Sequence, residues 1–137
     1  MKMREYIPKR AFLRFVVVGG LGFCVDGGLL TILMAYSWEV IPARCFSFFL
    51  AVSATWILNR FWTFDSVKRK SIRMEYAYYF GTQILGAAIN LSIFFVLIGA
   101  YPVLRDTPLI PLAFGATVSI GFNYFVSKLF VFNSENI

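Results

Sequence analysis

Four long apolar stretches make up most of this chain. They lie at about residues 15–37, 43–64, 76–100 and 108–132, and each reaches the roughly 20 residues that a helix needs to cross the hydrocarbon core of a bilayer. Of the 137 residues, 59% are hydrophobic and 15% are charged, whereas about 25% are charged in an average soluble domain. The sequence therefore predicts an all-α integral membrane protein with four transmembrane helices in a single domain, 1–137.

The composition also excludes several kinds of chemistry. Histidine is absent, and Cys24 and Cys45 lack the spacing of metal ligands. Four crossings leave no soluble domain that could carry independent chemistry, and no catalytic pair of side chains stands out. We predict that the protein is not an enzyme and that it needs neither a metal nor another cofactor.

The basic residues are distributed unevenly between the connections. Eleven of the 13 lie before span one, in the central loop, or near the ends of spans two and four, while Arg44 and Arg105 belong to the other two connections. Cationic loops stay in the cytoplasm, so the sequence predicts a multi-pass membrane protein with both termini and the central loop inside. This distribution favours contact with anionic lipid over binding of nucleic acid.

The two halves of the chain resemble each other. A shift of 68 positions aligns residues 60–64 with 128–132, and a shift of 64 aligns span one with span three. Because each half contains two spans, the sequence predicts two parallel repeats, each a helical hairpin. Small or polar residues recur every four positions in spans two and four, which places them on one face of each helix. They are Ser47, Ala51, Thr55 and Asn59, and Gly115, Ser119, Asn123 and Ser127.

Small residues in spans one and three offer surfaces for packing. Membrane helices associate through small residues and interhelical hydrogen bonds, because lipid is as apolar as leucine. We therefore expect contacts at some of these positions, with the Phe- and Leu-rich sides facing lipid. The small residues are Gly19, Gly20, Gly22, Gly27 and Gly28 in span one, and Gly81, Gly86, Ala87 and Ala88 in span three.

Asp26 lies about halfway through span one. A carboxylate at that depth costs roughly 2.5–3.5 kcal/mol on insertion scales, which makes it a candidate for function. It is either a polar contact along a transport path or a structural group, protonated or hydrogen-bonded across the repeat axis to Asn90 or to a Ser or Thr hydroxyl. Gln83, Asn90 and Asn123 have the same two interpretations, as path contacts or as interhelical hydrogen-bonding groups.

A set of cations lies near the predicted inner side of the membrane. Arg14 begins span one, Asn59 and Arg60 lie near the end of span two, and Asn123, Ser127 and Lys128 hold matching depths in span four. The planar fork of arginine suits phosphate oxygens, and lysine adds a point charge. We predict that the three cations hold the phosphate of an amphipathic lipid, with the asparagines contacting its polar group. The alternative is that the cations only reach the interface, as span-end cations commonly do.

These motifs resemble the GtrA-like family over about residues 11–133. The resemblance rests on Arg14-Phe-Val-Val-Val-Gly19 with Asp26, Asn59-Arg-Phe-Trp-Thr-Phe64, Gln83 to Asn90, and Phe122-Asn-Tyr-Phe-Val-Ser-Lys-Leu-Phe-Val-Phe132. The fourth-span motif has lysine where arginine is more usual in the family, so no guanidinium fork is available there.

The resemblance implies a four-span inner-membrane protein of surface polysaccharide or O-antigen modification. Such proteins are thought to act as flippases, moving a polyprenyl-phosphate-linked sugar, such as undecaprenyl phosphate-glucose, from the cytoplasmic to the outer leaflet. They commonly work with the membrane glycosyltransferase that makes the lipid-linked sugar. A four-span monomer encloses little volume, so we expect a homo-oligomer.

Two other functions remain open from the sequence alone. One is a membrane anchor that recruits a glycosyltransferase without transport. The other is a small proton-coupled multidrug exporter, which also has four spans and an acid in span one. Such exporters often show a weak charge bias, whereas this chain has a strong one.

The charge distribution gives a testable topology. In a variant lacking Cys24 and Cys45, cysteines introduced at Ser71 and Ser134 should resist an impermeant thiol reagent in intact cells, because cationic segments stay inside. A cysteine at Thr107 should react. Labelling of position 71 from outside the cell would reverse the orientation.

Overall fold

A computed structural model shows four long helices and no strand among the residues that the structure describes, which are 10–64, 71–107 and 109–132. The helices are α1 (Ala11–Ala35), α2 (Val40–Leu58), α3 (Ile72–Ala100) and α4 (Leu109–Val126). All four stretches are long and apolar enough to cross a membrane, which confirms the predicted all-α fold. The basic residues Lys2, Arg4, Lys9, Lys68, Arg69 and Lys70 lie outside the described residues.

Helices α2 and α4 each continue into a short π-helical segment. These segments are Asn59–Thr63 and Ser127–Val131, and a 3-10 turn, Pro102–Arg105, lies between α3 and α4. The two π segments are related by the shift of 68 positions that aligns spans two and four in the sequence. A feature that sequence composition does not reveal therefore repeats at matching positions in both halves.

The chain divides into two compact units, Met1–Lys68 and Arg69–Ile137. In the first, which we call hairpin 1, α1 packs against α2; in the second, hairpin 2, α3 packs against α4. Ser37, in the connection between α1 and α2, has a φ of 65°. The N–H of Trp38 donates to the carbonyl oxygen of Leu33 at 3.1 Å. This left-handed residue ends α1 and lets the chain reverse within four residues.

The faces with four-residue spacing lie at the helix–helix contact of each hairpin. Most of these residues are buried, and Asn123 is half-buried. Burying polar side chains against the neighbouring helix suits lipid, where water cannot satisfy them. We refer to this contact in each hairpin as the seam.

Matching aromatic pairs join the two helices at the same end of each hairpin. The rings of Phe15 and Phe64 lie edge to face with centroids 6.4 Å apart in hairpin 1, and those of Tyr79 and Phe132 lie 6.0 Å apart in hairpin 2. All four side chains are buried. Since these positions are related by the shifts of 64 and 68, the predicted internal repeat is confirmed in the structure of each hairpin.

Only some of the glycines make close helix contacts. A Cβ at Gly22 would collide with the side chain of Thr55, and one at Gly86 would collide with that of Asn123. A Cβ at Gly115 would lie 2.9 Å from the carbonyl oxygen of Asn90. Open space surrounds the remaining glycines of α1 and α3 within the described part of the chain; these are Gly19, Gly20, Gly27, Gly28, Gly81 and Gly99. The close contacts therefore fall at repeat-related sites, not along the whole small-residue surface.

The seam of hairpin 2 gives a stability prediction. Gly115→Ala should lower the free energy of unfolding by about 1–3 kcal/mol, because its Cβ meets backbone that cannot rotate away. Gly121→Ala is the matched control in the same helix, since, apart from its chain neighbours and the adjacent backbone of α4, no atom of the described residues lies within 4 Å of its Cβ. It should be neutral or stabilising, because alanine is the better helix former.

Thermal unfolding of the two purified variants in detergent measures the difference. Equal unfolding temperatures would contradict the close approach of α3 and α4 at Gly115.

Candidate functional site

The two π segments carry the candidate cations. Phe64 N–H donates to the carbonyl oxygen of Asn59 at 2.9 Å, and Phe132 N–H donates to that of Ser127 at 2.8 Å. Arg60 and Lys128 are the second residues of these segments. A π segment shifts the hydrogen-bond register by one residue, and such segments occur frequently at functional sites.

Arg60 is a buried arginine. Its side chain is about 9% exposed, and its guanidinium carbon lies 5.7 Å from the ring centroid of Trp56 and 6.0 Å from that of Phe61. A cation that only reaches the membrane interface would be exposed, so this burial does not fit the interface interpretation. Aromatic rings attract the cation through their faces, which keeps the guanidinium inside the hairpin end.

Arg14 lies at the same end of hairpin 1. Its Nη1 donates to the carbonyl oxygen of Trp62 at 2.9 Å, and its guanidinium carbon lies 5.6 Å from the Trp62 ring centroid. The start of α1 is thereby tied to the π segment that contains Arg60. Two of the three predicted phosphate ligands thus belong to one structural unit.

Lys128 takes the corresponding place in hairpin 2. It is half-buried, and its Nζ lies 5.9 Å from the ring centroid of Tyr124. An ammonium group is a point charge without the planar fork of a guanidinium. The two hairpins therefore hold their cations in similar surroundings but offer different hydrogen-bond geometry.

Asn59 is held within the seam of hairpin 1. It is 1% exposed, and its Oδ1 accepts a hydrogen bond of 2.7 Å from the hydroxyl of Thr63. The carboxamide is therefore fixed beside Arg60, and it lies inside the hairpin and not on its surface.

The polar residues of hairpin 2 form a second seam. Asn123 Nδ2 donates to Gln83 Oε1 at 3.4 Å, and the hydroxyl of Ser119 donates to the carbonyl oxygen of Gly86. Within the described ranges, Asn123 Oδ1 and the hydroxyl of Ser127 are buried without a hydrogen-bond partner. This hairpin therefore has hydrogen-bonding capacity that its own folding does not use.

Asp26 has partners within its own hairpin. Its Oδ2 lies 2.5 Å from Arg44 Nη1, and its Oδ1 accepts a hydrogen bond of 2.7 Å from the Ser47 hydroxyl. The sequence interpretation placed a hydroxyl partner across the repeat axis, whereas Ser47 lies in the same hairpin as Asp26. It did not offer the ion pair, because the charge count assigned Arg44 to a connection, whereas the structure places it inside α2. Asn90, at the position related to Asp26, is half-buried beside Gly115.

Sequence reasoning missed two charged residues. Arg44 is one, and Glu75, fully buried in the first turn of α3, is the other. The shift of 64 pairs Glu75 with Ala11, which is also fully buried. The comparison of the repeats could have identified Glu75, because it places an acid where the other repeat has alanine.

The predicted site residues fall into one group per hairpin. Arg14, Asn59 and Arg60 share one end of hairpin 1, while Gln83 and Asn123 meet in hairpin 2. That the cations of the two hairpins converge on one phosphate stays a prediction.

Two repeated helical hairpins, each ending in a cation-bearing π segment, make this chain a membrane protein with four long helices in the part that the structure describes. A family model described as GtrA/DPMS, transmembrane domain, matches residues 14–135, and the chain belongs to this family. No curated protein sequence matches the chain. Family membership makes it a multi-pass membrane protein related to polyprenyl-phosphate-linked sugars.

The hydrogen bond inside the π segment of hairpin 1 can be tested directly. Thr63→Val keeps the shape of the side chain but removes the donor to Asn59, and should lower the free energy of unfolding by about 0.5–1.5 kcal/mol. Thr117→Val is the matched control, because that exposed hydroxyl only donates to a carbonyl of its own helix, that of Ala113. Chemical unfolding in detergent compares the two, and a control as destabilised as Thr63→Val would contradict a special role for the buried bond.

Proposed function

We propose that this protein moves a polyprenyl-phosphate-linked sugar, such as undecaprenyl phosphate-glucose, from the cytoplasmic to the outer leaflet of the cytoplasmic membrane. It would thereby supply cell-surface polysaccharide or O-antigen modification. The family supports the class of lipid. The protein would do no covalent chemistry, so it would be a flippase and not an enzyme.

Arg60 is the observation that carries this proposal. A buried arginine at the end of a membrane helix is expensive to maintain unless its charge is used. The rings of Trp56 and Phe61 lie near the guanidinium, and a guanidinium donates hydrogen bonds in its own plane. Ring contact and bidentate phosphate binding are therefore compatible.

The surrounding residues can be given roles on the same basis. Arg14 would add a second guanidinium at this end of hairpin 1, and Lys128 would offer a point charge to phosphate at the matching end of hairpin 2. Asn123, Gln83 and Asn90 would offer amide groups to the hydroxyls of the sugar, since they are only half-buried. Asn59 would orient the π segment, because it is already buried within the seam.

The surface of the helices supports association with other molecules. In the most apolar part of α1 and α3, 11% and 6% of residues are buried, compared with 28% in the two stretches that include α2 and α4. Lipid or further copies must cover these faces. We propose a homo-oligomer, with the path at or between protomers, and a membrane glycosyltransferase as the partner that makes the lipid-linked sugar.

The ion pair between Asp26 and Arg44 disfavours the proton-coupled exporter. Both carboxylate oxygens of Asp26 are engaged within hairpin 1, one by Arg44 Nη1 and the other by the Ser47 hydroxyl. Asp26 therefore suits a fixed counter-ion better than a proton carrier.

Arg60 variants test the phosphate contact. Arg60→Gln removes the charge and the fork, so the affinity for polyprenyl phosphate should fall by about 10- to 150-fold, or roughly 1.5–3 kcal/mol. Arg60→Lys should keep part of the affinity, and Lys128→Gln should have a smaller effect. Arg73→Gln is the control, since Arg73 is an exposed arginine at the start of α3. Native mass spectrometry of the purified variants with polyprenyl phosphate measures the affinities, and their unfolding temperatures show whether each variant is folded.

A proteoliposome assay of leaflet exchange with the same lipid then tests transport. Equal affinity of the wild type, Arg60→Gln and Lys128→Gln would exclude the phosphate contact. A wild-type protein that captures a glycosyltransferase but does not accelerate exchange would favour the anchor over the flippase.

A further inference from the structure

Hairpin 1 carries another arginine far from Arg60 along the same helix. Arg44 lies in the second turn of α2, whereas Arg60 follows the end of α2 in the π segment. Their separation of sixteen positions in the sequence corresponds to about 24 Å at the helical rise of about 1.5 Å per residue. That distance approaches the roughly 30 Å thickness of the hydrocarbon core, so the two arginines lie toward opposite sides of the membrane.

Arg44 presents its guanidinium outward. The Arg44 side chain is 54% exposed, while that of Asp26 behind it is 14% exposed. A guanidinium has five N–H donors, and the structure gives Arg44 one side-chain hydrogen bond within the described residues, to Asp26 Oδ2. The Ser47 hydroxyl holds the other carboxylate oxygen. The carboxylate is thus fixed, and the guanidinium offers further donors to an approaching anion.

The internal repeat shows that packing does not require these charges. The shifts of 64 and 68 place Asn90, Leu112 and Gly115 at the positions of Asp26, Arg44 and Ser47. Hairpin 2 closes at this level through the contact of Gly115 with Asn90. The uncharged residues of hairpin 2 form the same kind of hairpin. Helix association therefore does not explain why hairpin 1 has an ion pair at this level.

We infer that Arg44 is a second anion-binding site, which takes the phosphate of an amphipathic lipid at the side of the membrane opposite Arg60. This inference rests on the proposed function and adds the site at which the lipid arrives. Asp26 is the counter-ion of the empty site. When phosphate binds, the fixed carboxylate repels it, so Arg44 holds the lipid less tightly than it would without Asp26.

This arrangement predicts opposite effects for the two members of the pair. Asp26→Asn removes the repulsion while keeping a polar group for Ser47, so phosphate should bind severalfold more tightly. Arg44→Gln removes the donors and the positive charge, so phosphate should bind at least about tenfold more weakly. A brace that only joins the helices would respond differently, because either single change would break it in the same way.

The experiment uses the purified full-length chain with Arg60→Gln as the background, so that the Arg60 site does not mask the second one. Polyprenyl phosphate and inorganic phosphate are the two probes, and native mass spectrometry with calorimetry measures their binding. Arg44→Gln leaves Asp26 without its counter-ion and can fail to fold. The double variant Asp26→Asn/Arg44→Gln, which is neutral and polar, and Arg44→Lys are therefore measured beside it.

We expect polyprenyl phosphate to bind more tightly to Asp26→Asn, more weakly to the double variant, and with intermediate strength to Arg44→Lys. Arg105→Gln is the matched control, because Arg105 is an exposed arginine in the connection of hairpin 2, with its Nε donating to the carbonyl oxygen of Ile98. Its binding should equal that of the background.

Binding by the double variant equal to that of the background would overturn the site and leave the pair as a brace. Inorganic phosphate binding as tightly as the lipid would overturn the lipid as the ligand. A leaflet-exchange assay of the wild-type protein separates this inference from the proposed function. Arg44-dependent binding without exchange would refute transport and support the site, whereas exchange without Arg44-dependent binding would do the reverse.

Discussion

Water cannot satisfy polar groups inside the hydrocarbon, and this constraint shapes both hairpins. Each polar side chain at that depth needs a partner from the protein, and the facing helix of the same hairpin supplies one to Asp26, Ser119 and Asn123. Gly22 and Gly86 let the neighbouring helix approach so closely that Thr55 and Asn123 lie directly against their backbone. The packing that closes each hairpin therefore also collects its polar residues in one seam, away from lipid.

The same scaffold carries different chemistry in its two copies. Hairpin 1 contains the ion pair of Asp26 and Arg44, whereas hairpin 2 has only neutral residues at the related positions, with Asn90 beside Gly115. Arg60 offers a buried, planar guanidinium, whereas Lys128 offers a half-buried ammonium that acts as a point charge. Since both versions fold into the same hairpin, helix packing alone does not account for the differences.

The sequence predicted the four helices and the repeat because both depend on length and periodicity. Bilayer thickness sets the length of an apolar stretch, and the four-residue spacing follows from helix geometry. The π segments were not predictable, because a shift in hydrogen-bond register leaves composition unchanged. Gly20 and Gly22 are equally small, so only the path of α2 distinguishes the one that makes contact. The Arg44 partner of Asp26 was missed because Arg44 lies near the start of α2. The charge count had assigned it to the preceding connection.

In the proposed function, the partners of the two arginines decide how firmly each would hold a phosphate. Aromatic rings support the Arg60 guanidinium without repelling an anion, while Asp26 competes with any anion for Arg44. Such sites lower the barrier for a lipid that crosses in either direction by the same factor, so they do not by themselves determine the direction of net movement. Net transfer would then require that one reaction makes the lipid-linked sugar on the Arg60 side and another consumes it on the Arg44 side. A glycosyltransferase on the first side and a sugar-accepting polymer on the second would meet that requirement.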